Sequence, residues 1–480
     1  MPEDNLIYRR CYLATIALGL LVFFWGLGDI ALLSFNEARR ALPAQAMFAS
    51  GDWLLPHLNG ELYLAKPPLL YWLQTFFAYL LGAANEWAVR LPLAITASIT
   101  VWMTYRYALR QFGAWPALFS AQMLIANVGF AMAARRAEIE MLLIALCVGA
   151  LLAAMRYIRE GGSRRWIYLS YLLLGLAMLT KGPLVLLLVT LPLLVVALYT
   201  KDPRTWQVLR NPLGWLIFIV VGVSWYAAVT WKLGPEVWAS IIRTDIVGKV
   251  SGHQAKPLLS YVMWLLVDFL PFSLIVFYRP LAIWRQCRER TDLLVVLTAV
   301  LVPLLVFSLF SNKHAKYLLP IYPFIALLLG MRLGQIFEAC GVRAKRWIVG
   351  ICLALPLLYL GYYAVFEAKI FAYRVTALTE FGYWSRQPQP APFYALPDVD
   401  ERLFYYSQKP IKVLSQTRFQ QLRDSNYPML LLVESRELDQ IQPQADCVVK
   451  TFKPYLKKKR SLLVLGFGTA CTPMHQAWRR

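Results

Sequence analysis

Long apolar runs restrict this chain more than any other feature. Residues 142–155 and 293–309 are apolar on every helical face, and similar runs recur from residue 11 to residue 366. A soluble core cannot bury so many two-sided segments, and a membrane barrel needs strands of alternating polarity. What remains is a polytopic α-helical membrane protein, in keeping with a 59% hydrophobic composition and a mean hydropathy of +0.50. The net charge of +22 would suggest nucleic acid in a soluble protein. Here the excess lies in short loops between apolar runs, where cytoplasmic orientation explains it and no nucleic-acid partner is called for. The seven cysteines lack the paired spacing of a zinc or redox motif. Only Cys447 and Cys471 share the C-terminal segment, as the one candidate disulfide pair.

Arg9 and Arg10 precede the first run, 11–33, and place the N-terminus in the cytoplasm. No cleavage site follows that run, so it reads as a retained anchor. The polar stretch 34–88 then lies outside, containing a short apolar piece, 69–81, suited to an interfacial or re-entrant helix. Further runs at 91–107, 115–130, 141–155, 168–180, 184–199, 213–231, 258–277, 293–310, 318–333 and 348–366 cross in turn. Lys181-Gly182-Pro183 becomes an external turn. The total is about eleven spans, or thirteen with the short pieces, and either odd number puts the C-terminus outside.

That register leaves basic residues on the unexpected side in four places: Arg39, Arg40 and Lys66; Arg135 and Arg136; Arg243 and Lys249; Lys313 and Lys316. Outer loops tolerate some cations. The sharper reading is that these groups meet outer carboxylates in one membrane-level cavity and hold an anion, most naturally a lipid phosphate. Asn36 and Glu37 could alternatively do no more than cap a helix, which Pro43 would interrupt. Asp52 reads as closing a turn after Gly51. Trp53, Tyr63, Tyr71, Trp72 and Trp87 fit a lipid groove or an ordinary interfacial belt. His57, His253 and His314 lack ligand spacing, so no metal is assigned.

From about residue 370 hydrophobicity falls and turn residues cluster. Short apolar runs, LFYYS, IKVLS, MLLLVES, DCVVKTF and SLLVLGFG, read as strands, joined by segments such as 417–424. Residues 370–480 are therefore expected to form a small α/β domain on the outer face, after a membrane domain spanning 1–369. KPYLKKKR reads as a solvated turn.

Several pieces in order, NEARRA, ASGDWLLPHLNGELYLAKPPLLYWLQ, NEWAVRLP, RRAEIEMLL and KHAKYLLPIYP, resemble the GT-C glycosyltransferases that use polyprenyl phosphates. The likeness is to the bacterial 4-amino-4-deoxy-L-arabinose lipid A transferases and to the dolichyl-phosphate-mannose protein mannosyltransferases. It covers residues 10–335 and weakens beyond. The resemblance implies a GT-C fold, a bacterial inner-membrane location, a sugar donor on undecaprenyl phosphate, an acceptor reached from the periplasm and an acid in the first outer loop. Where the family commonly has Asp-Glu-x-Arg-Tyr, this chain has Asn36-Glu37-Ala38-Arg39-Arg40. The second outer acid, often aspartate, aligns with Glu140, and the glutamate that often precedes the lysine is Ala65. These departures leave the general base open and weigh against a metal.

Displacing a phosphate from an anomeric carbon needs cations on the leaving group and a nucleophile placed on the opposite face. For the phosphate the candidates are Arg39 or Arg40, Lys66, Lys249, Lys316 and Tyr317; Lys66 and Tyr317 rest on the motif matches, Lys249 on a looser one. For the base, Glu37 comes first and Glu140 second, with Asn36 in the aspartate's place. Glu138 is weaker because residues two apart on a helix diverge, and Tyr63 and His314 are secondary binding candidates. The expected activity is inverting transfer of a sugar to lipid A or another envelope glycan by a monomer, with no resident cofactor assigned. Protein hydroxyls as acceptor, or a lipid-linked sugar flippase, are the alternatives.

Overall fold

The apolar runs fold as helices whose ends are decided by glycine and polar side chains. The computed structural model describes residues 2–241, 257, 259–278, 280–310, 313–397, 399–407, 409–435, 445–452 and 461–471. Helix α1 (Pro2–Phe24) ends well before residue 33. Gly26 turns the chain at a φ of 62°, and Gly28 lies so close to Trp87 that a Cβ there would sit 2.0 Å from the indole. Helix α2 (Phe35–Ser50) is capped by Ser34, whose hydroxyl accepts the Glu37 N–H, so Asn36 is not its cap. Pro43 lies inside α2 and does not interrupt it. The cost of an interior proline, about 3 kcal/mol, is offset where Ala38, Ala41, Leu42, Ala44 and Met47 are buried.

The hairpin of β1 (His57–Leu58) and β2 (Glu61–Leu62) turns at Asn59-Gly60, both at positive φ, the geometry that Asn-Gly turns favour. Helix α3 (Leu69–Leu81) is too short to cross, and α4 (Glu86–Phe112) follows. The expected single run at 115–130 is two helices, α5 (Ala114–Ile125) and α6 (Val128–Arg135), bent by 63°. Asn127 explains the break: its carbonyl accepts the Phe130 N–H and its amide donates to the Asp268 carbonyl. Helices α7 (Ile139–Glu160) and α8 (Arg165–Lys181) pack together, and Gly330 and Gly334 of the helix Tyr322–Ala339 let it close on Pro116 and Ser120 of α5.

Among the described residues six helices are long and apolar enough to cross a membrane, seven if the bent pair is one span. The remaining runs in the expected count of eleven to thirteen are too short, too polar or too broken to qualify alone, α3 and Leu186–Thr200 among them.

Beyond the bundle, β3 (Phe393–Ala395), β4 (Ile411–Val413), β5 (Met429–Glu434), β6 (Cys447–Thr451) and β7 (Leu462–Phe467) form a sheet of order β4-β3-β5-β7-β6. The first three are parallel, and β7 runs antiparallel to β5 and β6. A disulfide joins Cys447 to Cys471. Alternate residues of β5 enter two cores, Leu430 and Leu432 on one face, Met429, Leu431 and Val433 on the other. LFYYS, expected as a strand, is the helix Arg402–Ser407, with every residue buried; a five-residue apolar run carries no period that separates the two states. The KPYLKKKR run lies outside the described residues.

This helix fastens the sheet to the membrane part. Its core continues into Ile30, Leu32, Ala38, Ala41, Leu42 and Ala137. Arg402 donates to the Leu32 and Leu33 carbonyls, and Tyr405 to that of Ala84. The Tyr406 hydroxyl accepts the Leu32 N–H at 2.7 Å and donates to Glu86 at 2.7 Å. Tyr406→Phe should strand that buried N–H and cost about 1–3 kcal/mol, read as a lower unfolding midpoint in detergent. An unchanged midpoint would show that the domain is held without it.

Candidate active site

The segment between α1 and α2 and the start of α7 meet at the end of the bundle that carries the sheet domain. Glu37 joins them. Its carboxylate, fully buried, accepts from Leu33 N–H (2.7 Å), Ala137 N–H (3.0 Å), Arg90 Nε (2.9 Å) and an Arg90 terminal nitrogen (3.3 Å). Arg90 spends its other donors on the carbonyls of Leu27, Ile30 and Ala31. Burial alone would raise the Glu37 carboxyl; Arg90 and the two backbone N–H groups outweigh it and hold it below the ordinary carboxylate value. With its acceptor positions occupied, Glu37 reads as a structural tie.

Next to this tie lies an alternating charge cluster. Arg40, 8% exposed, donates to the Tyr71 hydroxyl at 2.9 Å, and its charge also interacts with Tyr63 and Glu140. Lys181 Nζ stands 3.1 Å from Glu140 Oε1, and Lys316 Nζ lies 3.9 Å from the same oxygen and 4.0 Å from Glu138. The Tyr317 ring faces Lys181 at 5.4 Å, with His314 edge-on to it.

Glu138 is not on a helix. It precedes α7 with extended backbone (φ −111°, ψ 144°) and does not use its side chain as a cap. The helical argument that set it apart from Glu140 therefore does not hold, and both carboxylates approach Lys316. Burial, then the charge of Glu140, push the Glu138 carboxyl above its ordinary value, with Lys316 opposing. Among the described residues its carboxylate forms only the Lys316 ion pair.

Other candidates are placed differently. Arg39 turns away from the cluster to Glu401 of the sheet domain at 2.7 Å, so of the two adjacent arginines it is Arg40 that faces the charges. Asn36 is half-buried on α2. Lys66 follows Leu64, which packs against Leu179 and Trp225; its ammonium donates to the Ala65 carbonyl. Asp52 closes its turn by accepting the Leu54 N–H. Lys249 and His253 lie outside the described residues. Lys181 was missed: the same register that marked four outer basic groups placed it outside, and it deserved a fifth mark.

Three cations around two carboxylates, one of which accepts no hydrogen bond among the described residues, can hold a phosphate and take a proton. Among the described residues no group of three or more His, Cys, Asp or Glu is arranged to hold a metal ion.

The family model of dolichyl-phosphate-mannose-protein mannosyltransferases matches residues 65–231, a stretch that includes Lys66, Glu138, Glu140 and Lys181. An undecaprenyl phosphate-alpha-4-amino-4-deoxy-L-arabinose arabinosyl transferase of Pseudomonas aeruginosa is 30% identical over 74% of this chain and 65% of its own. A relative of the same description from Sodalis glossinidius is 29% identical over 66% and 58%. The chain thus spans less than two thirds of the length of either. The crystal structure of ArnT from Cupriavidus metallidurans, bound to undecaprenyl phosphate, superposes with a TM-score of 0.77 over 94% of this chain and 97% of that one, at 20% identity. The fold is shared, and the apolar helices make this a multi-pass membrane protein.

Proposed function

We propose, from the fold shared with a GT-C enzyme and the resemblance to the bacterial 4-amino-4-deoxy-L-arabinose lipid A transferases, that this protein transfers a sugar from undecaprenyl phosphate to lipid A. The likeness to the arabinosyl transferases supports 4-amino-4-deoxy-L-arabinose as that sugar. The end of the bundle carrying the sheet domain faces the periplasm in this reading, and the enzyme acts as a monomer.

The observation that carries the proposal is the grouping of Arg40, Lys181 and Lys316 around Glu138 and Glu140. The bond from the anomeric carbon to the lipid phosphate breaks, its electron pair leaving on the phosphate. Lys316 and Arg40 receive that charge. Glu140 fixes the two lysines. An acceptor oxygen bonds to the opposite face of the carbon, inverting it, and Glu138 is placed to take its proton where it carries one.

The reconstituted protein, given the undecaprenyl-phosphate-linked aminosugar and lipid A, should yield lipid A heavier by one aminopentose by mass spectrometry. Glu138→Gln separates the acceptor classes. A hydroxyl must lose its proton as the bond forms, so the loss should be about 10²–10⁴-fold; a phosphate, with a second pKa near 6, should lose far less. No product on lipid A, with transfer to a protein hydroxyl instead, overturns the lipid A assignment.

A further inference from the structure

The end of the bundle opposite the carboxylates carries a recess that the transfer scheme does not use. Ile158 and Arg159 of the last turn of α7 line it, across from Arg290, Thr291 and Asp292 where the helix Thr291–Leu309 begins, and it holds about 360 Å³ of open space. Its depth in the membrane follows from α7 itself. Glu140 and Arg159 stand near opposite ends of that helix, roughly 28 Å apart along its axis, and a bilayer's apolar core is roughly 30 Å thick. The recess therefore sits at headgroup level on the far face, the cytoplasmic one in the orientation proposed above. The helix Pro280–Arg288 marks the same level. Ile283 and Cys287 turn inward, whereas Leu281 and Trp284 are exposed beside Arg285 and Arg288, the arrangement of a helix lying in a membrane surface. Two residues later the chain reaches Arg290.

The charges of the recess do not balance. Asp292 is buried and its oxygens are taken: Arg290 approaches them at 2.7 and 3.2 Å, and the Tyr107 hydroxyl donates at 3.0 Å. Arg290 also donates to Gln111 of α4, so its position is fixed. Arg159 is held far less. Among the described residues its guanidinium forms one ion pair, 4.0 Å from Asp292, makes no hydrogen bond and leaves 41% of the side chain exposed. The adjacent Glu160 is held by Arg156, and the carbonyls of Ile158 and Arg159 are occupied by Arg204. The lining thus has two cations and one carboxylate, with a fork of donors open to an anion, the geometry that matches phosphate oxygens. Basic residues gather on the cytoplasmic face of any membrane protein. They do not in general surround a recess of ligand size, which begins at roughly 300 Å³.

We infer that this recess binds the phosphate of an anionic phospholipid from the adjoining leaflet. Arg159 donates to the phosphate oxygens, and Arg290 supplies the second charge from its fixed place. Basic pockets between membrane helices at this level suit such headgroups. The inference is independent of the sugar and of its acceptor. A lipid seated there bridges α7 to the helix Thr291–Leu309, and so braces the helix that carries Glu140 at its other end. Free phosphate offers the same oxygens without acyl chains, and the experiment separates the two.

The full-length protein in detergent is titrated with dioleoyl phosphatidylglycerol or dioleoyl phosphatidylcholine, and bound lipid is counted by native mass spectrometry. Phosphatidylglycerol should bind at one site more tightly than phosphatidylcholine. Arg159→Gln should weaken phosphatidylglycerol about tenfold or more, the loss of a charge-assisted hydrogen bond, and leave phosphatidylcholine unchanged; Arg159→Lys should recover part of the loss. Arg164→Gln removes an equal charge from an exposed position on the same face outside the recess and should change neither. A partly exposed pair at 4.0 Å adds little to the fold, so the Arg159 variants should melt like the parent protein without lipid. If Arg159→Gln melts lower, Thr291→Glu decides: a carboxylate in the first turn of a helix is well tolerated, and it should repel the phosphate and bring phosphatidylglycerol down to the level of phosphatidylcholine. No preference for phosphatidylglycerol in the parent protein, a preference kept in both Arg159→Gln and Thr291→Glu, or an equal loss in Arg164→Gln would each overturn the site. Inorganic phosphate that displaces the lipid at equal concentration would overturn the lipid as its occupant and mark a site for free anions.

Discussion

Lys316→Met is expected to cut transfer about 10²–10³-fold while the fold stays intact, the loss seen when one donor to developing charge is removed. The two halves of that expectation come from the same geometry. Lys316 has a third of its side chain exposed and sits 3.9 and 4.0 Å from two carboxylates, so as a structural contact it contributes no more than about 1 kcal/mol. Its charge matters when a phosphate leaves the sugar carbon, because that charge develops beside the buried Arg40 and Glu140, where water screens it less. Lys181 could not serve as the same test. It is mostly buried and 3.1 Å from Glu140, and removing it would leave that carboxylate without its nearest counter-charge. The measurement is kcat and donor KM beside a melting curve in detergent. A stable variant with near-parent activity would remove Lys316 from the mechanism and leave the leaving group to Arg40.

Residues whose role depends on a near neighbour were legible in the chain, and residues whose partner is distant were not. The apolar runs declared their own membrane preference, and KHAKY and RRAEIEM stood out as charged pieces at run ends, where Lys316, Glu138 and Glu140 do meet. Glu37 comes first as a base because the resemblance implies an acid in the first outer loop, yet its partner is Arg90, and Arg39 answers to Glu401 of the sheet domain. No local pattern reports such pairings. The ranking of Glu138 below Glu140 assumed a helix that begins one residue later than it needed to. Ionisable groups at helix ends are poorly ordered by periodicity because the backbone changes state there. LFYYS failed for a related reason: a short run buried on all sides satisfies both periods, and only its docking on the segment 30–42 decides.

Glu37→Gln should lower stability by about 3–5 kcal/mol, the range for breaking a buried pair by removing one partner. The substitution keeps the shape and changes the donors. Four N–H contacts converge on the two oxygens of Glu37, whereas a glutamine offers one oxygen and one NH2 group, which would meet other donors head-on. Arg90 would also lose its counter-charge in a place where it is 3% exposed. The pH dependence follows with its sign. Because the folded-state pKa of Glu37 lies below its unfolded value, the stabilisation is present above the ordinary carboxylate pKa, about 4.3, and is lost as pH falls through the depressed folded value. The parent protein should therefore lose stability below about pH 4 more steeply than Glu37→Gln. Unfolding midpoints in detergent across that range test both statements. They also separate the structural tie from a catalytic base: a Glu37→Gln protein that melts like the parent but transfers no sugar would return Glu37 to the chemistry and displace Glu138 as the proton acceptor.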